Sequence, residues 1–168
     1  MTLMKSRRGI YLLPNLLTTG ALFSGFYSIV AAMNQHFGSA AIAIFVAMIL
    51  DGMDGRIARL TNTQSAFGMQ YDSLSDMISF GLAPSLVVYQ WVLFNMGKLG
   101  WLAAFVYTAC ASLRLARFNT QATSIDKRYF QGLPSPGAAA VLGGAVWFGS
   151  SHCLLYTSPS PRDGLLSR

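Results

Sequence analysis

The sequence predicts an all-α protein, a polytopic bundle of transmembrane helices. Hydrophobic residues make up 53% of the 168 residues and charged residues only 11%, whereas about 25% of the residues of a soluble domain are charged. The charges are also clustered, which leaves uncharged stretches at residues 9–50, 77–97, 99–113 and 129–161. This composition excludes a disordered chain, a coiled coil and an ordinary soluble enzyme.

The first two predicted helices cover about residues 12–33 and 39–60. A spanning helix needs roughly 20 predominantly apolar residues, and both segments are long enough. The first segment follows basic residues, as the apolar part of a signal peptide does. Its apolar run is too long for a signal peptide, however, and no small-residue cleavage site follows Met33. We therefore expect this segment to remain in the membrane as a helix.

Three further helices are predicted at about residues 68–94, 100–118 and 136–155, which gives about five spanning helices. Glycine and alanine alternate in the last of them, and such small residues let membrane helices pack closely. Cys110 and Cys153 lie in apolar stretches without a paired spacing. We interpret them as buried thiols rather than as parts of a disulfide framework or a zinc site.

The basic residues predict a cytoplasmic N-terminus, because positive charge accumulates on the cytoplasmic side of membrane proteins. If successive helices alternate in direction, nine basic residues fall on that side and only Lys98 falls outside before the C-terminal tail. Tyr89, Trp91 and Trp101 then lie near outer helix ends, where aromatic side chains are common. The nine cytoplasmic residues are Lys5, Arg7, Arg8, Arg56, Arg59, Arg114, Arg117, Lys127 and Arg128.

Four of the six aspartates lie at the predicted cytoplasmic ends of the second and third helices. Asp51 and Asp54 are three residues apart, and Asp72 and Asp76 are four apart, so each pair lies on one helix face. An exposed acidic loop would not need this phasing. Carboxylates at membrane depth are costly unless they are paired or line a wet cavity. If the two faces meet, four carboxylates surround one point. The residues that share these faces are Gly55, Ala58, Gly68 and Phe80, of which the small ones leave space for a ligand.

This arrangement favours a site for hard divalent cations, which prefer oxygen ligands. No histidine lies between residues 51 and 76, which argues against zinc. Two such ions can clamp a phosphoryl group, so we expect Mg²⁺ or Mn²⁺ with a diphosphate. Arg59 lies four residues after Gly55 and can reach the same pocket, where arginine binds phosphate through two hydrogen bonds. We interpret Arg56 as an anchor to anionic lipid.

The spacing of these residues resembles the signature of the CDP-alcohol phosphotransferase family. The pattern is Asp51-Gly-Met-Asp54-Gly55-Arg-Ile-Ala58-Arg59, eight residues, Gly68, three residues, Asp72, three residues, Asp76, and all eight fixed positions are present. The resemblance implies that Asp51, Asp54 and Asp72 bind two divalent metal ions. It implies that Asp76 is both a metal ligand and the general base.

The resemblance also implies a binding site for a CDP-linked lipid. Gly55, Arg59 and Ser65 match family positions that contact this substrate. We assign Asn15, Thr18, Ala58 and Gly68 to the same site, although Asn15 also fits a polar cap at the start of its helix.

Three flanking stretches, residues 13–18, 112–119 and 129–136, are similar to bacterial phosphatidylserine synthases. This similarity implies a transfer from CDP-diacylglycerol to L-serine that yields phosphatidylserine and CMP at the cytoplasmic surface of the cell's inner membrane. Arg114 and Arg117 would hold the serine carboxylate or a lipid phosphate, or would serve only as positive-inside anchors. The resemblance also implies a homodimer in the lipid bilayer, and no nucleic-acid partner is expected.

Three alternatives remain at this point. A member of the same family with glycerol phosphate or inositol phosphate as acceptor would carry the same signature. A cation transporter would use the aspartates as ion ligands, but it would place charged or broken helices near the bilayer midplane. A purely structural subunit would have no use for four phased acids.

We expect the family-like membrane domain to cover residues 1–152 and to be truncated at its C-terminus, since the family core has six or more spanning helices. Residues 153–168 depart from the family pattern and resemble translated sequencing-adapter sequence. We interpret them as a non-native tail.

Overall fold

The computed structural model of the protein describes residues 12–60, 66–121 and 134–153, and these ranges are helical apart from short connections. The predicted all-α helical membrane bundle is confirmed, and the ends of the predicted helices lie within a few residues of the observed ones. The elements are α1 (Leu12–Met33), α2 (Phe37–Leu60), α3 (Ala66–Asp76), a π-helical segment (Met77–Leu82), α4 (Ala83–Trp91), a 3₁₀ turn (Leu93–Met96), α5 (Lys98–Gln121) and α6 (Ser135–Cys153).

A tight turn joins α1 to α2 and makes them an antiparallel pair. Gln35 has a positive φ of 64°, and the backbone N–H of His36 bonds the carbonyl oxygen of Ala31 at 2.9 Å. The two helices approach each other through small side chains, which allow close packing in a membrane. The hydroxyl of Ser24 adds a 2.7 Å hydrogen bond to the carbonyl oxygen of Ala43. Buried alanines on this face are Ala31, Ala32, Ala40 and Ala41.

The predicted third helix, residues 68–94, is not one continuous α-helix. It changes to π-helix from Met77 to Leu82, and its α-helical part ends at Trp91. Pro84 explains the change, because proline has no N–H and its ring clashes with the carbonyl group four residues earlier. In the wider turn the N–H of Ala83 reaches the carbonyl oxygen of Ile78, five residues back.

The apolar core lies where α2, α4 and α6 meet the π-helical segment. Phe80, Ile44, Val87 and Val146 are the largest apolar side chains that are completely buried there. Phe80 therefore belongs to the apolar core, although its spacing predicts a place on the face that carries Asp72 and Asp76.

Among the residues that the structure describes, three helical stretches are long and apolar enough to cross a membrane, whereas the sequence predicts about five spanning helices. They are Asn15–Met33, Phe37–Ile57 and Lys98–Thr120. Large apolar side chains such as Phe23, Ile49 and Phe105 are more than half exposed. Cys110 on α5 is exposed as well, so the prediction that it is a buried thiol is wrong. An exposed apolar surface of this extent is a liability in water but is the normal outer surface of a membrane protein. The helices therefore belong to a multi-pass membrane protein.

Candidate active site

The end of α2 and the length of α3 bring three acidic side chains together. One carboxylate oxygen from each of Asp51, Asp72 and Asp76 lies within 4.8 Å of the other two. The three residues are partly buried, and they come from two helices joined by a short connection. Their oxygens are close enough to bind the same ion.

Two features of this cluster fit a cation. The carboxyl groups of Asp51 and Asp76 are in hydrogen-bond contact. Two ionised carboxylates repel each other at such a separation, and a shared proton or a cation between them would offset this repulsion. The Oδ1 atom of Asp72 is buried and has no hydrogen-bond partner among the residues that the structure describes. A divalent ion would satisfy this oxygen and offset the clustered negative charge.

Asp54, the fourth predicted ligand, lies beside the cluster and is held separately. Its side chain is only 4% exposed. The hydroxyl of Thr18 donates a buried 2.8 Å hydrogen bond to its Oδ2 atom, and the backbone N–H of Gly55 also bonds its carboxylate. These donors fix the direction of the carboxylate while leaving oxygen lone pairs for a ligand.

Helix α1 positions the segment that contains Asp76. The hydroxyl of Ser75 donates to the carbonyl oxygen of Thr18, and the hydroxyl of Ser79 donates to that of Ala21, each at 3.2 Å. Gly25 lets the two helices come close, because a Cβ atom there would lie 2.7 Å from the Ser79 hydroxyl oxygen. The residues on both sides of Asp76 are thus attached to the α1 backbone.

The structure gives the predicted substrate residues different surroundings. Thr18 is 5% exposed and lies behind Asp54. Asn15 is half-buried, and its carbonyl oxygen accepts a 2.7 Å hydrogen bond from the hydroxyl of Thr19.

The other predicted substrate residues lie on or between α2 and α3. Gly55 and Gly68 are half-buried on these helices. Ser65 and the side chains of Ala58 and Arg59 lie outside the described residues. The same holds for residues 154–168 of the proposed tail, whose first residue, Cys153, ends α6.

The two arginines of α5 are on a helix that contacts the site, but they are not joined to the acids. Arg114 is half-buried and Arg117 is exposed. The contact is made further along α5, where the side-chain amide of Asn119 donates a 3.0 Å hydrogen bond to the hydroxyl of Ser73, next to Asp72. Among the described contacts, none joins either arginine to an aspartate.

Several polar contacts around the site are absent from the sequence-based prediction. The hydroxyls of Thr19 and Tyr71 lie 2.9 Å apart and connect α1 to α3. The hydroxyl of Tyr107 on α5 donates to the carbonyl oxygen of Phe80 at 3.1 Å. Pro84 lies four residues after Phe80 and has no N–H, so the sequence indicates that the Phe80 carbonyl group lacks its usual α-helical donor. Nothing in the sequence indicates which side chain would replace that donor.

Comparison with known proteins identifies the family of the chain. Residues 11–158 match the CDP-alcohol phosphatidyltransferase family. This match extends past the boundary at residue 152 that the sequence predicted, and the boundary stays a prediction.

Curated relatives share substantial identity with the chain. A Helicobacter pylori protein is 44% identical over 79% of this chain and 56% of its own length. A Mycobacterium leprae protein is 39% identical over 93% of this chain and 58% of its own length. A Bacillus subtilis protein is 35% identical over 77% of this chain and 72% of its own length. Each is named CDP-diacylglycerol–serine O-phosphatidyltransferase.

The chain spans a little over half the length of the first two relatives. The family match covers most of the chain and includes the helices that carry the four aspartates. The chain belongs to the CDP-alcohol phosphatidyltransferase family.

Proposed function

We propose that the protein transfers a phosphatidyl group from CDP-diacylglycerol to L-serine, forming phosphatidylserine and CMP. The names of the relatives support the substrates. The observation that carries the proposal is the convergence of Asp51, Asp72 and Asp76 within 4.8 Å, with one buried oxygen of Asp72 left without a partner among the described residues. A structural role for this face of α2 and α3 would not require three adjacent carboxylates.

The site suits two divalent ions, Mg²⁺ or Mn²⁺, because its side chains offer only carboxylate oxygens. Asp51, Asp54 and Asp72 would hold them, with Asp76 as a further ligand. When bound, the ions would neutralise negative charge on the diphosphate and on the departing CMP.

Asp76 would act as the general base. It would accept the proton of the serine hydroxyl while the serine oxygen forms a bond to the phosphorus next to diacylglycerol. The bond from that phosphorus to the bridging diphosphate oxygen breaks, and CMP leaves with this oxygen. Asp76 lies where Ser75 and Ser79 fix the neighbouring backbone, so its carboxylate would need little reorganisation before it accepts the proton.

The remaining substrate contacts follow from the position of the site. The acids lie in the last part of α2 and in α3, on the side that the basic residues predict to be cytoplasmic, where soluble serine and CMP would reach them while the diacylglycerol chains stay in the inner membrane. Arg114 or Arg117 would bind the serine carboxylate or a lipid phosphate, and two copies of the chain would form a homodimer. The residues that would contact CDP-diacylglycerol are Asn15, Thr18, Gly55, Ala58, Arg59, Ser65 and Gly68.

A competition among acceptors tests the reaction. The protein is reconstituted in vesicles that contain CDP-diacylglycerol and Mn²⁺, and labelled L-serine, glycerol phosphate or inositol phosphate is added. We expect labelled phosphatidylserine and an equal amount of CMP with serine only. A labelled lipid from another acceptor would overturn the choice of serine. Failure to release CMP with any acceptor would overturn the transferase reaction itself.

A further inference from the structure

The segment after Asp76 has an unusual geometry that fixes this residue relative to the core. Asp76 ends α3, and the π-helical segment begins at Met77. A π-helical turn contains more residues than an α-helical turn, so it rotates the residues before it relative to those after it. Phe80 and Val87, after the change, are anchored in the apolar core. The shape of the π-helical segment therefore determines the position of Asp76 relative to the apolar core.

A hydrogen bond from another helix supports this segment. Pro84 cannot donate to the carbonyl oxygen of Phe80, as an ordinary residue four positions later would in an α-helix. The hydroxyl of Tyr107 donates to that oxygen instead, at 3.1 Å. This bond gives the Phe80 carbonyl group a donor that Pro84 lacks, so it favours the widened turn over rearranged ones.

The next residue of α5 holds the following turn. The hydroxyls of Thr108 and Ser85 lie 2.8 Å apart, and the hydroxyl of Ser85 donates to the carbonyl oxygen of Leu82. On the opposite side, Ser75 and Ser79 bond to α1. The π-helical segment is thus held between α1 and α5, with Asp76 at its start.

We propose that Tyr107 is a positioning residue for Asp76: its hydrogen bond to the Phe80 carbonyl maintains the π-helical turn that holds α3, and with it the Asp76 carboxylate, against Asp51 of α2. This inference rests on the proposed function for its kinetic consequence. It makes a separate claim about the geometry of the carboxylate cluster.

The variant Tyr107→Phe removes the hydroxyl and keeps the ring. We expect the turnover number to fall by on the order of tenfold, the effect of losing one hydrogen bond, while the KM for CDP-diacylglycerol stays within about twofold. Because Asp76 is also a proposed ligand, Mn²⁺ binding, measured by electron paramagnetic resonance, should weaken as well. The matched control is Tyr89→Phe, since Tyr89 is also half-buried but packs edge-on against Phe94 at the other end of α4. It should behave like the unmodified protein.

A double-mutant cycle tests the link through Phe80. Pro84→Ala restores an N–H that can bond the Phe80 carbonyl, so in that background Tyr107→Phe should cause little further loss of turnover or Mn²⁺ affinity. Additive losses would overturn the inference, as would unchanged turnover and Mn²⁺ affinity in Tyr107→Phe. Equal losses in Tyr89→Phe would also contradict it.

The Mn²⁺ measurement separates this inference from the proposed function. If the unmodified protein binds Mn²⁺ but makes no phosphatidylserine, the proposed function fails, and weaker binding in Tyr107→Phe still supports the positioning role. If the unmodified protein binds no Mn²⁺, both fail.

Discussion

Thr18 and Asp54, 36 residues apart in the chain, are joined by a buried hydrogen bond of 2.8 Å from the threonine hydroxyl to the Oδ2 atom. Groups that hydrogen-bond to a metal ligand orient it and raise its affinity for the ion. With Asp54 as the proposed ligand, Thr18 would therefore act on the metal site without direct contact with substrate. It also places α1 directly behind the carboxylates of α2.

Replacing Thr18 with valine should weaken metal binding, because it leaves the Asp54 carboxylate without this buried donor. Loss of such an outer hydrogen bond typically costs about 10–100-fold in metal affinity. Thr18→Ser keeps a hydroxyl and should restore most of the affinity. The measurement is a Mn²⁺ titration of both variants in detergent. Equal affinity in Thr18→Val and the unmodified protein would show that the contact does not orient Asp54.

Asp76 and Asp51 should differ in what their loss affects. Asp76→Asn removes the proton acceptor, and general-base catalysis typically contributes about 10²–10⁴-fold, so turnover with serine should fall by that much. CDP-diacylglycerol should still bind through the metals on the other three aspartates. Asp51→Asn should weaken metal and nucleotide binding as well as turnover, since an amide is a poorer ligand for a hard cation.

The comparison requires nucleotide affinity and turnover to be measured on each variant. If Asp76→Asn turns over normally, Asp76 is not the base. If it loses nucleotide binding as severely as Asp51→Asn, the two residues do not have the separate roles of general base and metal ligand proposed here.

Removal of divalent ions should abolish CMP release. Protein in vesicles, treated with excess chelator, should release no CMP, and added Mg²⁺ or Mn²⁺ should restore the reaction. The physical reason is the cluster of three carboxylates, whose mutual repulsion a divalent ion offsets. Full turnover in excess chelator would contradict the metal-dependent mechanism.

Gly25→Ala should destabilise the protein, since the added Cβ would lie 2.7 Å from the hydroxyl oxygen and 2.9 Å from the Cα atom of Ser79. The backbone of one helix must move, and overpacking of this kind typically costs about 1–3 kcal/mol. Gly20→Ala is the matched control on the same helix, because its Cβ would meet only Leu50 Cδ1 at an ordinary 3.5 Å. Thermal unfolding in detergent should show a lower midpoint for Gly25→Ala alone; equal midpoints would mean that α1 and the π-helical segment can move apart without cost.

The helices and the acidic faces could be predicted from the sequence because both depend on local patterns. Long uncharged stretches specify spanning helices, and spacings of three or four residues place Asp51 with Asp54 and Asp72 with Asp76. Asp51 can meet Asp72 and Asp76 only if the acidic faces of α2 and α3 point toward each other. Local spacing does not determine how two helices are rotated relative to each other, so this part of the site remained a condition in the sequence-based prediction.

The π-helical segment was not predicted, although Pro84 lies inside the predicted helix at residues 68–94. Proline indicates a kink or a break, but whether the chain breaks or widens depends on which donors lie nearby. Tyr107 supplies that donor from a helix distant in sequence. The place of Phe80 in the core has the same cause, since regular α-helical spacing would put it on the acidic face.

The paired bonds from Ser75 to Thr18 and from Ser79 to Ala21 limit how the protein can move during a reaction cycle. Sliding α3 and the π-helical segment along α1 by one turn, about 5.4 Å, would break both bonds at once and leave two buried hydroxyls without these acceptors. Translation of these helical segments along each other is therefore disfavoured. For the proposed reaction, the movement that admits the lipid headgroup and releases CMP would therefore have to come from parts of the chain other than this pair, which would remain fixed.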